Sequence, residues 1–216
     1  MTSLISGREK SRECIIIIPN MRIGYGWDSH AFQDGVPLKI GGLLIPHPQG
    51  LAGHSDGDVL LHAITDALLG AVAAGDIGTF FPPTDPQWKG ADSALFLSAA
   101  MDAVEKAGFQ IANVDTTLVL AAPKISPIAK DLQYNVARLL GVASSQVSIK
   151  AKTPEGLAQD HVAIAHAVVL LDKNADQKKM EMAAAALETQ SLIDETVENV
   201  VSNVPVRRDK SIKSRA

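Results

Sequence analysis

Between Arg22 and Leu171 the chain changes hydrophobic period again and again, and this alternation constrains its fold more than any other feature. A strand sends successive side chains to opposite faces, whereas a helix returns to one face every three or four residues. Strand-like runs are Arg22–Trp27, opened by Met21; Pro37–Pro46, extended around the glycines Gly41 and Gly42; Val114–Leu120, rich in β-branched residues; the short Val147–Lys150; and Ala163–Leu171. A first helix is expected from Ser55 as N-cap, with Asp58 as the capping-box acid three positions on. Leu60, Leu61, Ile64, Leu68, Ala71 and Val72 form its apolar stripe, and Gly75 closes it. A second helix should start at Asp92 or Ser93 and end at Gly108, and a third should run from Ser126-Pro127 to Gly141. The order, roughly β-β-α-α-β-α-β-β, predicts one α/β domain: an α+β sandwich with a mixed four-to-five-stranded sheet and helices on one face.

The ends lack this alternation. Residues 1–20 show no period and finish at Pro19-Asn20, so they read as an N-terminal extension to a domain spanning 21–171. Residues 172–216 form a polar C-terminal extension, rich in helix formers between Lys178 and Val201. It reads as a solvated, partly helical segment or as a partner-docking helix. Apolar residues make up 46% of the 216, enough to bury a core, and only nine are aromatic, so that core must be aliphatic. A net charge of −4 excludes the basic footprint of a general nucleic-acid binder. One cysteine, Cys14, excludes an intrachain disulfide framework and a thiolate zinc cluster. No apolar run reaches the roughly 18 residues of a membrane span, and Cys14–Ile18 is too short for a signal-peptide core. A cytoplasmic protein with no membrane partner is expected.

Several polar clusters have the makings of a site. In extended chain Asp28 and His30 point the same way, and a carboxylate with an imidazole is half of a zinc site. Asp58, His62 and Asp66 are spaced four apart and share one helical face, apart from the apolar stripe. That face reads either as a solvated polar surface or as a place for His62 as third ligand, with Asp66 behind it as the carboxylate orienting the ring. On this placement, removing His62 should spare folding. His54 precedes the helix N-terminus, where anions are favoured, and could hold a phosphate. Asp76-Ile77-Gly78 and Phe81–Asp85 form either a polar pocket loop or a plain surface turn. Pro123–Pro127 offers backbone amides and Lys124 to a phosphate or base edge, or is a stiff connection. Lys150–Glu155 brings together a cation, a hydroxyl and a carboxylate, a trio suited to a polyphosphate and its Mg²⁺. His166, in an apolar strand, is expected to be a satisfied core histidine.

Taken together these segments resemble the 2-C-methyl-D-erythritol 2,4-cyclodiphosphate synthase family of the non-mevalonate isoprenoid pathway. The resemblance rests on Met21–Phe32, His54–Val59, Leu61-His62, Thr65–Ala71, Gly75–Gly78, Phe81-Pro82, Thr84–Pro86, Lys89–Ser93, Asn113–Asp115, Ala122–Lys124 and Lys150-Ala151, which occur in that order. It implies Asp28, His30 and His62 as ligands of a divalent metal, usually zinc, with Asp28 and His30 also near substrate. It implies His54 and Ser55 as contacts to the erythritol phosphate, and a pocket lined by Asp76, Ile77, Gly78, Phe81, Pro82, Pro83, Thr84 and Asp85. Leu120, Ala121, Ala122, Pro123, Lys124, Ile125 and Ser126 match the cytidine pocket. Lys152, Thr153, Pro154 and Glu155 match the diphosphate loop, with Glu155 facing a second ion, Mg²⁺ or Mn²⁺. His54 and Thr153 match positions that steady the transition state. The implied reaction is intramolecular attack of a 2-phosphate on the β-phosphorus of a diphosphocytidyl substrate, releasing CMP, in a homotrimer with sites between subunits.

The chain departs from the family pattern at Tyr25, Pro83, Lys152 and Pro154. The 156–161 segment is about three residues short and lacks the family's Phe and Arg, although the metal set and Glu155 are intact. Two rival readings are a metallophosphatase or phosphodiesterase on the same three ligands, and a trimeric scaffold without turnover.

Overall fold

The computed structural model describes residues 21–157 and 160–202. Its elements are β1 (Met21–Asp34), β2 (Leu38–Ile40), β3 (Leu43–Ile45), β4 (Gln49–Leu51), α1 (Val59–Ala71), α2 (Ile77–Phe80), α3 (Ser93–Lys106), β5 (Phe109–Val119), α4 (Ala129–Leu140), β6 (Val147–Lys152), β7 (Val162–Lys173) and α5 (Ala175–Ser202). The main sheet runs β4-β1-β7-β5-β6 and is mixed: β1 is antiparallel to β4 and β7, while β5 and β6 are parallel. The predicted α+β architecture is therefore present, with five strands. The chain divides at Asp172-Lys173 into two units.

In the first unit α1 packs on β1, α3 against α1 and β5, and α4 against β6. The α1–β1 contact explains two glycines. A Cβ on Gly24 would lie 1.8 Å from the Ala67 carbonyl oxygen, and one on Gly26 would lie 2.2 Å from that of Ala63. Only a residue without a side chain lets the helix backbone come this close to the strand. Leu60, Leu61, Ile64 and Leu68 of α1 meet Leu97 of α3, Leu132 of α4 and the small residues Ala163, Ala165 and Ala167 of β7 in one aliphatic core. The alternate residues of β1, among them Ile23 (72% exposed), Tyr25 (57%) and Trp27 (54%), stand on the opposite, open face of the sheet. His166 is on that face too, with Nδ1 2.9 Å from the Tyr25 hydroxyl, so it is not the core histidine expected from its apolar strand.

Local signals held at several ends. Asp92 caps α3 and Gly108 follows it at positive φ, while Gly141 closes α4 in the left-handed conformation. The Pro37–Pro46 segment is a hairpin, with Gly41 and Gly42 both at the positive φ that a tight two-residue turn needs. The first helix differs from expectation. Asp58, not Ser55, is its N-cap, and α1 ends at Ala71, well before Gly75. Asp58 also accepts the amides of Gly41 and Gly42 at 2.9 and 2.6 Å, so tertiary bonds drew the carboxylate into the cap position. The Ser126-Pro127 start is a 3₁₀ turn leading into α4.

The second unit contains α5, begun by the Asn174 side chain accepting the Gln177 amide at 3.0 Å and by an ion pair of Lys173 with Glu181. Met180, Met182, Leu187, Leu192 and Ile193 on it are exposed. Among the described residues no helix is long and apolar enough to cross a membrane. The N-terminal extension, Cys14 and the basic end of the chain lie outside the described residues.

Candidate metal centre and the loops around it

Strand alternation places Asp28 and His30 on one face of β1, and the close α1–β1 contact brings His62 of the helix over them. Asp28 Oδ2 lies 2.7 Å from His30 Nε2 and 2.9 Å from His62 Nδ1, and the two ring nitrogens are 3.1 Å apart. Two imidazole nitrogens and a carboxylate oxygen aimed at one point are a metal donor set. In tetrahedral zinc, bonds of about 2.0–2.1 Å put donors about 3.3 Å apart, so these need open by only a few tenths of an ångström. The donors fit a divalent metal.

The local electrostatics keep Asp28 ionised. Burial alone would raise the Asp28 carboxyl, but the hydrogen bonds and charges of His30 and His62 outweigh it and hold the group well below the usual carboxylate range. Burial would lower His30, but Asp28 outweighs it and raises the ring above its ordinary value. The Ala52 backbone is a further hydrogen-bond partner of the His30 ring.

What stands behind His62 differs from expectation. Asp66 Oδ1 accepts the Ile77 amide at 2.8 Å, so it fastens the start of α2 rather than the ring. The far nitrogen, His62 Nε2, instead faces Ser93 Oγ at 2.8 Å and Ser55 Oγ at 3.0 Å. Ser93 is fully buried, and both its hydroxyl and its amide bond to Asp56, which Lys39 Nζ meets at 2.6 Å. Nor is the Asp58–His62–Asp66 face a solvated one: Asp58 is completely buried and His62 is 8% exposed, against the ring of Phe96. Sequence reasoning found Ser93 only as a possible helix start and missed Lys39 and Asp56. Nothing local signals that residues 17 to 37 positions apart meet.

The other expected residues fall into two groups. His54 Nε2 stands 3.5 Å from the Asp85 carbonyl, and the His54 carbonyl accepts the Gly90 amide at 2.8 Å, tying the 81–90 loop to the segment that precedes α1. Asp76 caps α2 through Thr79, Asp85 caps the turn at Pro86–Trp88, and Phe81 packs on Phe96 and Trp88. Ile77 and Asp85 are half-buried, while Gly78, Pro82, Pro83 and Thr84 are exposed. Ser55, Lys39 and Asp56 also line a cleft of about 320 Å³.

The second group lies where β5 and β6 end. The Leu120 amide donates to the Lys152 carbonyl at 3.2 Å, placing the 120–126 loop beside the 152–155 loop. Leu120, Ile125 and Pro154 are buried; Ala121, Ala122, Lys124, Ser126, Lys152, Thr153 and Glu155 are exposed, and Pro123 is half-buried. Thr153 Oγ1 donates to Glu155, whose φ of +49° is left-handed, a strain of roughly 1–2 kcal/mol for a non-glycine residue. Among the described residues no hydrogen bond or ion pair joins this group to the metal centre.

The model of the YgbB family matches residues 21–172. A 2-C-methyl-D-erythritol 2,4-cyclodiphosphate synthase from Koribacter versatilis (strain Ellin345) is 65% identical over 153 residues, which are 71% of this chain and 99% of that protein. A chloroplastic synthase of the same description from Arabidopsis thaliana is 48% identical over 155 residues, 70% of this chain and 67% of that one. A solved structure of such a synthase in a CDP-bound form superposes with a TM-score of 0.67 at 46% identity, covering 70% of this chain and all of that one.

Proposed function

The chain belongs to the YgbB family, and from this premise we infer that it is an enzyme of isoprenoid biosynthesis, a lyase forming 2-C-methyl-D-erythritol 2,4-cyclodiphosphate. The substrate is 4-diphosphocytidyl-2-C-methyl-D-erythritol 2-phosphate. An oxygen of its 2-phosphate attacks the β-phosphorus, the bond from that phosphorus to the bridging oxygen breaks, and CMP leaves. The observation that carries this reading is the convergence of Asp28, His30 and His62 within a chain so like the named synthases.

Phosphoryl transfer asks the protein for alignment and charge neutralisation rather than for a covalent nucleophile. Asp28, His30 and His62 would hold a divalent ion, zinc by the donor set, and Glu155 would face a Mg²⁺ or Mn²⁺; bound ions supply positive charge to phosphate oxygens. His54 and Ser55 stand beside the metal centre to receive the erythritol phosphate, above a floor of Asp76, Ile77, Gly78 and Phe81–Asp85. The 120–126 loop takes the cytidine, with Lys124 beside the nucleotide, and Lys152–Glu155 embrace the diphosphate. Thr153 and His54 steady the developing charge.

The working molecule in this reading is a homotrimer. Two facts support it: the open sheet face carries Ile23, Tyr25 and Trp27, and among the described residues no hydrogen bond or ion pair joins the two groups of site residues. A three-fold arrangement buries the first and lets one subunit's nucleotide loops complete its neighbour's metal centre. The reading keeps the folded domain at 21–171, with extensions on either side. It also keeps the cytoplasm as location, or a plastid by analogy with the chloroplastic relative.

Purified protein incubated with the diphosphocytidyl substrate, zinc and Mg²⁺ should release CMP and the cyclic diphosphate in equal amounts, followed by chromatography. Absence of CMP refutes the assignment, and inorganic phosphate in place of the cyclic product points to a phosphatase.

A further inference from the structure

We propose that Ser93, held by Asp56 and Lys39, is a positioning residue that keeps a hydrogen on His62 Nε2 and so turns Nδ1 toward the metal. This rests on the metal reading of Asp28, His30 and His62 given above.

The argument is a count of protons along one chain of contacts. Lys39 is an ammonium and can only donate; it meets Asp56 Oδ2 at 2.6 Å and Asp92 Oδ1 at 3.0 Å. Asp56, beside that cation, is a carboxylate and can only accept. It takes the Ser93 amide at 3.1 Å and the Ser93 hydroxyl. A hydroxyl has one proton. With that proton committed to Asp56, Ser93 Oγ can only accept from His62 Nε2 at 2.8 Å. His62 Nε2 therefore carries hydrogen. Nδ1, which faces Asp28 and His30, is then the nitrogen left to take a metal in place of its own hydrogen bond to Asp28. Full burial of Ser93 keeps water from supplying an alternative partner. Ser55 Oγ, 3.0 Å from the same nitrogen, shares that proton as a second acceptor and keeps its own hydroxyl proton for another group.

A second effect is orientation. Ser93 opens α3 and His62 lies on α1, so the bond sets the ring's plane from a different helix than the one that carries it. Partners of this kind behind a ligating histidine typically change metal affinity by about 10–100-fold.

The test uses the full chain. Zinc affinity is measured by competition with a chromophoric chelator, and the ¹⁵N shifts of the His62 ring nitrogens are read in metal-free protein at neutral pH. Wild type should show a hydrogen on Nε2. Ser93→Ala should lower the hydrogen occupancy of Nε2 and weaken zinc binding by about 10–100-fold, with the circular dichroism unchanged. Ser93→Thr, which restores the hydroxyl, should recover most of the affinity. Should Ser93→Ala fail to fold, Asp56→Asn serves in its place, since an amide can donate to Ser93 and turn its hydroxyl proton toward the ring. A wild-type ring without hydrogen on Nε2, or a folded Ser93→Ala with wild-type shifts and affinity, overturns the proposal. Wild-type protein that binds no zinc overturns the metal reading instead, and the ring shifts still decide whether Nε2 carries hydrogen.

Discussion

His62 uses both ring nitrogens, one toward Asp28 and His30 and the other toward Ser93 and Ser55. Removing the ring therefore has two consequences. His62→Ala should lose bound zinc, checked by elemental analysis, and should also cost about 1–3 kcal/mol in denaturant unfolding, because the buried Ser93 hydroxyl loses a partner. Full retention of zinc contradicts the ligand assignment. Placing the ring on a solvated face predicted no folding cost; the structure reverses that, since burial and Phe96 surround the ring. The Lys39–Asp56 pair gives a pH signature. Burial pushes the Asp56 carboxyl up, but Lys39 and the two Ser93 hydrogen bonds pull harder, and it sits below its ordinary value. The unfolded chain then binds the proton first as pH falls. The pair's contribution is complete above about pH 4 and is lost as pH drops through the depressed folded value. Unfolding midpoints measured between pH 7 and 3 should fall less steeply in Lys39→Met than in wild type. Parallel acid limbs count against the pair.

At the scale of elements, the site is the product of one contact, α1 on β1. Gly24 and Gly26 set its closeness, because the helix carbonyls occupy the space a Cβ would need. Gly24→Ala must push α1 away. It should destabilise the domain by about 1–3 kcal/mol in chemical denaturation and weaken zinc binding, since Asp28 and His30 lie on the strand and His62 on the helix. Unchanged stability and affinity would mean that the contact tolerates more slack than these distances allow. The helical and strand periods of β1, α1, α3, α4 and β7 were legible because they repeat locally along the chain. The cap of α1 was not: Ser55 and Asp58 both suit an N-cap, and the hairpin glycines Gly41 and Gly42 decided between them from a distance in sequence. Asp66 was misplaced for the same reason, because four-residue spacing puts it on the face of His62 without saying that Ile77 will claim it.

In the whole molecule, one sheet face is covered by helices and the other presents large apolar side chains to solvent. If the proposed trimer forms through the open face, Ile23→Asp should leave fold and zinc content intact, shift sedimentation from trimer to monomer, and abolish CMP release because no neighbour completes the site. A monomer with full turnover would refute the shared-site arrangement. The two-period alternation was sufficient in the sequence to set the α+β class, and the ordered motifs pointed to the family. Asp28 and His30 as a pair also followed from sequence, because period two is a local property of extended chain. That His62 joins the pair was implied by the resemblance but by no local period; the tertiary structure alone decided that Ser93, Asp56 and Lys39 stand behind it, and that the 120–126 loop lies beside the 152–155 loop. Those are contacts between residues far apart in the chain, chosen by packing and by the need of buried polar atoms for partners, and no periodicity encodes them.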